Sequence, residues 1–125
     1  MSISQIIIYI IIVLIIFSVI RKSLNKRKVK NYNAEEINNK IKNSRNILLL
    51  DVRTNRERKA NHIKGSVHIP LNQLRARVDE LKKFKNKEIV CYCTSGNRSF
   101  SAALLLQKHG FNAANLKGGI TGWNY

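Results

Sequence analysis

The fold is decided by residues 88–110, which read EIVCYCTSGNRSFSAALLLQKHG. Residues 88–92 are a short, mostly apolar run, the pattern of a strand that is covered on both faces of a sheet. A polar turn with Gly96 follows, and residues 99–109 then have the composition of a helix with Ala and Leu side chains available for packing. Gly110 stands where a C-terminal helix cap belongs. The stretch therefore predicts a strand, a turn and a helix.

The same alternation of strand and helix precedes this stretch. Asn33 is followed by an alanine and two acidic residues, which predicts the start of a helix with Ile37 and Ile41 on one face. Residues 47–50 are an unbroken apolar run that ends at Asp51. Such a run predicts another strand that is buried on both faces.

Three more segments complete the pattern. Residues 67–69 predict a short strand, residues 71–81 repeat apolar side chains at helical spacing, and residues 111–116 predict a strand before the glycine turn at residues 118–119. Because strands and helices alternate throughout, the predicted fold class is α/β with a mainly parallel sheet. The length of 125 residues allows one such domain beside a terminal appendage.

The charge of the chain is strongly positive, with 23 Lys and Arg residues against 7 Asp and Glu residues and a net charge of +16. Such an excess fits a nucleic acid, an anionic membrane surface or an anionic substrate. The sequence contains no nucleic-acid motif, so no nucleic acid partner is expected. Ile, Lys and Asn are all abundant, and a biased genomic composition is an equally good source of the charge.

The N-terminal segment is apolar enough to anchor the chain in a membrane. Residues 3–20 carry no charge and, as a helix, span about 27 Å against a hydrocarbon core of about 30 Å. A cleaved signal peptide is the alternative, but the basic start and the small-residue cleavage site of such peptides are missing. The sequence therefore predicts one transmembrane helix, with residues 1–20 as the anchor and residues 3–20 in the membrane.

A basic segment follows the anchor. Residues 21–31 are rich in Lys and Asn and are interpreted as a juxtamembrane linker to a domain of residues 32–125. By the positive-inside rule the domain is cytoplasmic, which predicts a single-pass protein of the cell membrane. The basic side chains either act as this topological signal alone or also contact anionic headgroups. They are Arg21, Lys22, Lys26, Arg27, Lys28 and Lys30.

Cys93 is the candidate nucleophile because it lies between a strand and a helix. At the N-terminus of a helix, unpaired N–H groups and the helix dipole stabilise a thiolate and lower its pKa from about 8.5. Cys91 lies two residues earlier on the strand and is interpreted as a buried core thiol. The two cysteines are too close for an ordinary disulfide and too few for a metal cage. No metal and no cofactor is expected.

Four ordered motifs resemble those of the rhodanese family. They are residues 93–99 (CTSGNRS) between a buried strand and a helix, residues 51–57 (DVRTNRE), residues 62–71 (HIKGSVHIPL) and residues 116–123 (LKGGITGW). The likeness covers residues 31–125. It implies a rhodanese-like three-layer fold with a parallel sheet of about five strands.

The resemblance also implies sulfur transfer. Cys93 would attack a small sulfane sulfur donor, hold the sulfur as a persulfide and pass it to a thiophilic acceptor, either a small thiol or a protein. Asp51 and Arg53 would form an internal ion pair under the active loop, and Glu57 would join them through Arg53. The loop that would order the site and bind the substrate comprises Thr94, Ser95, Gly96, Asn97, Arg98 and Ser99.

Loop length and Thr94 separate the alternatives. The six residues from Cys93 through Arg98 resemble the sulfurtransferase loop, whereas the related phosphatase branch has one residue more. A phosphatase or arsenate reductase relative is therefore the weaker enzymatic alternative. Thr94 stands where many family members carry a basic residue, which disfavours thiosulfate as the donor. The alternative from another class is a non-enzymatic, membrane-tethered binding or recruitment module, and degenerate relatives of that kind often lose the cysteine.

Overall fold

A parallel sheet with helices on both faces positions the candidate site. The computed structural model describes residues 1–44 and 46–125, without the side chains of residues 25–28. In chain order the elements are α1 (Ile3–Lys28), β1 (Lys30–Tyr32), α2 (Ala34–Asn43), β2 (Ile47–Asp51), α3 (Asn55–Ala60), β3 (Val67–His68), α4 (Leu71–Arg77), β4 (Glu88–Tyr92), α5 (Asn97–Lys108) and β5 (Ala113–Leu116). Two 3-10 helices, Val78–Phe84 and Gly119–Gly122, follow α4 and β5.

The five strands are parallel and lie in the order β1-β5-β4-β2-β3. Strand β4 is central, and its apolar side chains are buried on both faces. Leu74 of α4 and Leu106 of α5 pack on one face, while Ile37 of α2 packs with Tyr92 on the other. Burial of apolar surface on two faces explains why β2 and β4 are apolar runs without polar alternation. The predicted three-layer α/β fold with five strands is confirmed.

Side-chain caps fix where the helices begin. The side chain of Asn33 accepts a hydrogen bond from the N–H of Glu36 at 2.8 Å, so α2 begins where the sequence predicts. In α3, the N–H of Glu57 donates to Thr54 Oγ1 while the Glu57 carboxylate accepts from the N–H of Thr54. Helix α3 is not among the predicted elements, because its six residues are too few for an apolar period.

The segment that follows the anchor differs from the predicted linker over residues 21–31. Helix α1 continues to Lys28, and residues 30–32 form β1 at the edge of the sheet. No Gly or Pro interrupts the sequence after Ile20, and Lys, Arg and Leu favour helix, so α1 has no reason to end at the last apolar residue. Val29 is already part of the core, with 4% of its surface exposed. The ordered domain therefore begins a few residues before Tyr32.

Helix α1 makes no extensive contact with the other elements in the described part of the chain. Its stretch Ile3–Leu24, 22 residues long, is by length and composition able to cross a membrane, and none of it is buried. A signal sequence near an N-terminus has the same properties.

Candidate active site

Cys93 lies at the carboxyl edge of the sheet, directly after β4 and four residues before α5 begins at Asn97. The turn between them depends on Gly96, whose φ of 111° is a left-handed conformation that glycine adopts without strain. This turn aims the N–H of Gly96 at Cys93 Sγ, 3.1 Å away, and places Ser99 Oγ 3.3 Å from the same sulfur. The first turn of α5 thus surrounds a single sulfur atom with donors.

The pKa of the Cys93 thiol is set by two opposing effects. Burial of the side chain disfavours the thiolate and by itself raises the pKa. Hydrogen bonds from the Ser99 hydroxyl and from the backbone N–H groups of Ser99, Gly96 and Ser95 favour the thiolate, and together they hold the pKa of Cys93 below its ordinary value. Arg98, whose pKa is raised first by Glu57 and also by the Cys93 thiolate, adds a positive charge near the sulfur, so the loop itself is able to supply the thiolate.

Cys91 is chemically different although it lies on the same strand. It is fully buried, and burial, followed by the nearby charge of Cys93, raises its pKa. The thiol therefore stays protonated and out of reach, in agreement with the interpretation as a core residue.

The rate at which iodoacetamide alkylates Cys93 should rise with pH around a midpoint below the value of about 8.5 of an ordinary cysteine. The reason is that only the thiolate reacts and that a lowered pKa supplies it at lower pH. Mass spectrometry of the full chain in detergent, over a series of pH values, measures the alkylation rate at Cys93. Cys91 is buried and should stay unlabelled, so it is the internal control. A midpoint at or above that of a free cysteine would contradict the proposed role of the loop amides.

A chain of buried polar side chains continues from Ser99 to the edge of the sheet. The Ser99 hydroxyl donates to Asn115 Oδ1 at 2.6 Å, and Asn115 Nδ2 donates to the Gly96 carbonyl at 3.2 Å and to Asn31 Oδ1 at 3.0 Å. Asn115 is absent from the residues predicted for the site. The available signal was one amide side chain inside an otherwise apolar strand next to the cysteine loop.

The outer side of the loop is held by Glu57. Its carboxylate accepts two hydrogen bonds from Arg98, at 2.7 Å and 2.8 Å, and one from the Thr94 hydroxyl at 2.9 Å. These contacts, the one with Arg98 first, hold the pKa of Glu57 well below its usual range. The prediction that Glu57 joins Arg53 is wrong: α3 points its carboxylate toward the loop, where Arg98 offers a bidentate partner.

Asp51 and Arg53 form the predicted ion pair, which is buried beside the loop. Arg53 donates to both carboxylate oxygens of Asp51, at 3.0 Å through Nε and at 2.9 Å through Nη2. Burial by itself raises the pKa of Asp51, but the hydrogen bonds from Arg53 and Tyr92 outweigh it and keep the carboxyl ionised. The same Arg53 donates to the carbonyl of Asn61 at 2.6 Å. This pair therefore braces the strand end and does not reach the sulfur through any described contact.

Glu57→Gln should loosen the loop at moderate cost. The neutral amide offers Arg98 a weaker acceptor, and since the pair is partly exposed we expect the free energy of unfolding to fall by about 1 kcal/mol at pH 7. The depressed pKa of Glu57 means that this stabilisation is fully present above the ordinary glutamate pKa and declines as the pH falls from there towards the lower pKa of the folded protein. Urea unfolding should therefore show a larger difference between the wild type and the variant at pH 7 than at pH 3.

Glu80→Gln is the matched control, because it changes a glutamate that pairs with Arg77 on the exposed surface. No measurable change is expected. A loss in Glu57→Gln no larger than the loss in Glu80→Gln would show that the Glu57 pair stabilises the protein no more than an ordinary surface ion pair.

The second wall of the site is the closing turn after β5. The N–H of Ile120 donates to the Cys93 carbonyl at 2.9 Å, and the Thr121 hydroxyl donates to the Thr94 carbonyl at 2.8 Å. Gly119 has a φ of 57° and lies so close to these two carbonyls that a Cβ atom would collide with both. The cysteine loop and the turn at residues 118–122 are thus packed backbone against backbone.

Two cavities flank the loop. One, of about 650 Å³, is lined by Ser95, Gly96 and Asn97 together with residues of other elements. The other, of about 350 Å³, has Arg98 and Pro70 in its wall. Cys93 itself is 1% exposed and does not line either cavity. His68 Nε2 forms a hydrogen bond with the Arg53 carbonyl at 2.7 Å and so links β3 to the segment after β2.

Comparison with known proteins gives the same family for nearly all of the globular part. A family model described as the rhodanese-like domain matches residues 33–125. A sulfurtransferase of Allochromatium vinosum is 30% identical over 96 residues, which cover 76% of this chain and 88% of that protein. A crystal structure of a rhodanese-related protein from Thermoplasma volcanium is 32% identical with a TM-score of 0.68, covering 75% of this chain and 89% of the other.

Larger proteins contain a similar segment. A tRNA uridine(34) hydroxylase of Buchnera aphidicola is 37% identical over 92 residues, which cover 70% of this chain. The chain spans only 29% of the length of that relative, so the likeness concerns a segment and not the whole hydroxylase.

Proposed function

Because the chain belongs to the rhodanese-like family, we propose that it is a membrane-anchored sulfurtransferase that carries sulfane sulfur on Cys93. The observation that carries this proposal is the environment of Cys93 Sγ, which the N–H of Gly96 and the hydroxyl of Ser99 approach at 3.1 Å and 3.3 Å. Such an environment supports a thiolate, and the same donors are able to hold the outer sulfur of a persulfide.

The reaction needs no cofactor to balance. The Cys93 thiolate attacks the terminal sulfur of a donor R–S–S⁻, the bond between the two donor sulfurs breaks, and R–S⁻ leaves and takes up a proton. The new S–S bond leaves Cys93 as a persulfide, whose outer sulfur is held by the loop N–H groups. An acceptor thiolate then attacks that outer sulfur, and the Cys93 thiolate leaves. Sulfur is transferred with no net oxidation.

Charge around the loop favours a persulfide donor over thiosulfate. Thr94 occupies the position next to the nucleophile without a charge, and it is bound to Glu57. Glu57 also neutralises Arg98, so the strongest cation of the loop is already paired. A dianionic donor such as thiosulfate therefore gains little electrostatic attraction at this loop. A persulfide carried by a small thiol or by a protein presents one charge and a slim terminal sulfur, which suits the buried Cys93.

We further propose that α1 is retained as a single membrane span and holds the domain on the cytoplasmic side of the cell membrane. Its stretch Ile3–Leu24 has the required length, and its exposed apolar surface has no partner in the described chain. The uncharged start and the basic residues from Arg21 onward support this orientation.

The test is mass spectrometry of the full chain in detergent after exposure to thiosulfate, polysulfide or cysteine persulfide. We expect an adduct of about 32 Da at Cys93, the mass of one sulfur atom, with the persulfide and polysulfide donors, and its loss when a thiol acceptor is added. Absence of the adduct with every donor would overturn the proposal. A thiosulfate adduct that forms faster than the others would overturn the donor preference alone.

A further inference from the structure

The anchor helix and the cysteine loop share a cavity. The cavity of about 650 Å³ beside Ser95 and Gly96 is also lined by Lys22 of α1 and by Lys117, which follows β5. Lys22 lies within the stretch Ile3–Leu24, at the end where the apolar sequence gives way to basic residues. The end of the candidate membrane span is therefore beside the loop that carries Cys93.

The direction of α1 follows from the strand it joins. Val29 is buried in the core, and Lys30 aligns with Ala114 of β5, which in turn aligns with Val90 in the middle of β4. Lys22 lies seven positions before Val29, a distance of about 10 Å along a helix. Since Lys22 lies at the carboxyl edge of the sheet, α1 rises from the middle of the sheet toward that edge. The exposed apolar residues before Lys22 continue beyond it.

The surface at this edge is basic and polar. Lys22 and Lys117 are exposed, and the other lining residues of the cavity are neutral. No Asp or Glu is among those lining residues, so the two ammonium groups have no anionic partner there. Asparagine and serine side chains add neutral hydrogen-bonding groups. Two cations with hydroxyl and amide groups form a site suited to a phosphate group.

We propose that the edge of the domain that carries Cys93 lies against the membrane surface and that phosphate headgroups of anionic lipids occupy the cavity between α1 and the loop. This inference rests on the membrane anchor proposed above. Cys93 then meets its sulfur donor or acceptor at the lipid interface, and a partner bound to the same membrane reaches the loop at short range. The opposite edge of the sheet, which includes Lys87, faces away from the bilayer.

The orientation can be measured with single tryptophan reporters in the full chain. In a Trp123→Phe background, Ser101→Trp places the reporter at the cavity, and Lys87→Trp places it at the opposite edge; Ser101 is exposed and Lys87 is partly exposed. Vesicles of phosphatidylcholine and phosphatidylglycerol would carry lipids with a nitroxide on the headgroup. We expect severalfold stronger quenching of the Ser101 reporter. Equal quenching, or stronger quenching at Lys87, would overturn the orientation.

Charge variants test the occupant of the cavity. The Ser101 reporter is expected to be quenched more strongly by labelled phosphatidylglycerol than by labelled phosphatidylcholine. Lys117→Gln should lower this preference about fivefold, the factor that corresponds to about 1 kcal/mol per basic residue at an anionic surface. Lys87→Gln is the matched control and should leave it unchanged. Soluble glycerol phosphate that abolishes the preference would assign the cavity to a free phosphate compound and overturn the lipid assignment.

Hydrogen exchange of the unmodified chain provides a measurement that does not depend on any variant. Peptides over residues 94–98 and 117–119 should exchange more slowly in phosphatidylglycerol vesicles than in detergent, and a peptide over residues 84–88 should not. Protection confined to residues 84–88 would contradict the proposal. The sulfur adduct on Cys93 in detergent is independent of these results, so failure of the orientation and failure of the sulfurtransferase activity are distinguishable.

Discussion

Cys93→Ser should reduce sulfur transfer to the background rate, a loss of about a thousandfold or more, because the covalent path through a persulfide no longer exists. A serine hydroxyl keeps nearly the same shape, and the N–H of Gly96 still finds an acceptor, so the fold should persist. The mass adduct with persulfide donors should disappear at the same time. Mass spectrometry and a transfer assay with a thiol acceptor measure both effects on the full chain.

Cys91→Ala is the control for this variant. It removes the second thiol of the chain, which is buried and whose pKa is raised by burial. The adduct and the transfer rate should therefore be retained. Adduct formation in Cys93→Ser but not in Cys91→Ala would assign the sulfur to Cys91 and refute the mechanism. An unchanged cellular phenotype in Cys93→Ser would favour the recruitment module over the enzyme.

Among the Gly→Ala substitutions in this chain, Gly119→Ala should destabilise the protein most. Its Cβ would collide with the backbone carbonyls of Cys93 and Thr94, and its φ of 57° adds strain. Backbone cannot rotate away as a flexible side chain does, so the closing turn has to separate from the loop. We expect the free energy of unfolding to fall by about 3 kcal/mol or more. Urea unfolding, followed by the fluorescence of Trp123, measures this loss.

Substitution of two other glycines distinguishes the effect of a steric collision from the effect of backbone strain. Gly122→Ala meets no atom within 4 Å and has no left-handed φ, so it should change stability by less than about 0.5 kcal/mol. Gly118→Ala also has open space but a φ of 81°, so only the backbone strain remains, about 1 kcal/mol. If all three variants behave alike, the close approach of Gly119 to the loop is not important for stability.

The sequence predicts the centre of the fold well because the signals there are local. The apolar run of β4, Cys93, the turn at Gly96 and the following helix are consecutive in the chain, and each has a physical cause within a few residues. Helix α5 begins at Asn97, two residues before the predicted start, since polar residues in a first turn look like loop in the sequence. Side-chain pairs are harder, because they depend on how elements pack.

Glu57 and Asn115 show what sequence reasoning misses. Glu57 is 41 residues from Arg98 and four from Arg53, so proximity in sequence suggested the wrong partner, whereas the packing of α3 against the loop decides the pair. Asn115 lies in a strand that is apolar apart from this residue, and its role depends on β1 being its neighbour. Strand β1 was not predicted, because two of its three residues belong to the basic segment that was interpreted as a linker.

The Ser99 hydroxyl has one hydrogen to donate, but it lies within hydrogen-bond distance of two acceptors, Asn115 Oδ1 and Cys93 Sγ. Asn115 uses its amide hydrogens on Gly96 and Asn31, so its Oδ1 must accept the hydrogen of Ser99 while Cys93 is a neutral thiol. When Cys93 ionises, the hydroxyl turns to the sulfur and leaves that buried oxygen unsatisfied, at a cost of about 1–3 kcal/mol. In the proposed reaction, ionisation of Cys93 thus requires the rotation of one hydroxyl, and Asn115 limits how far the thiolate is stabilised.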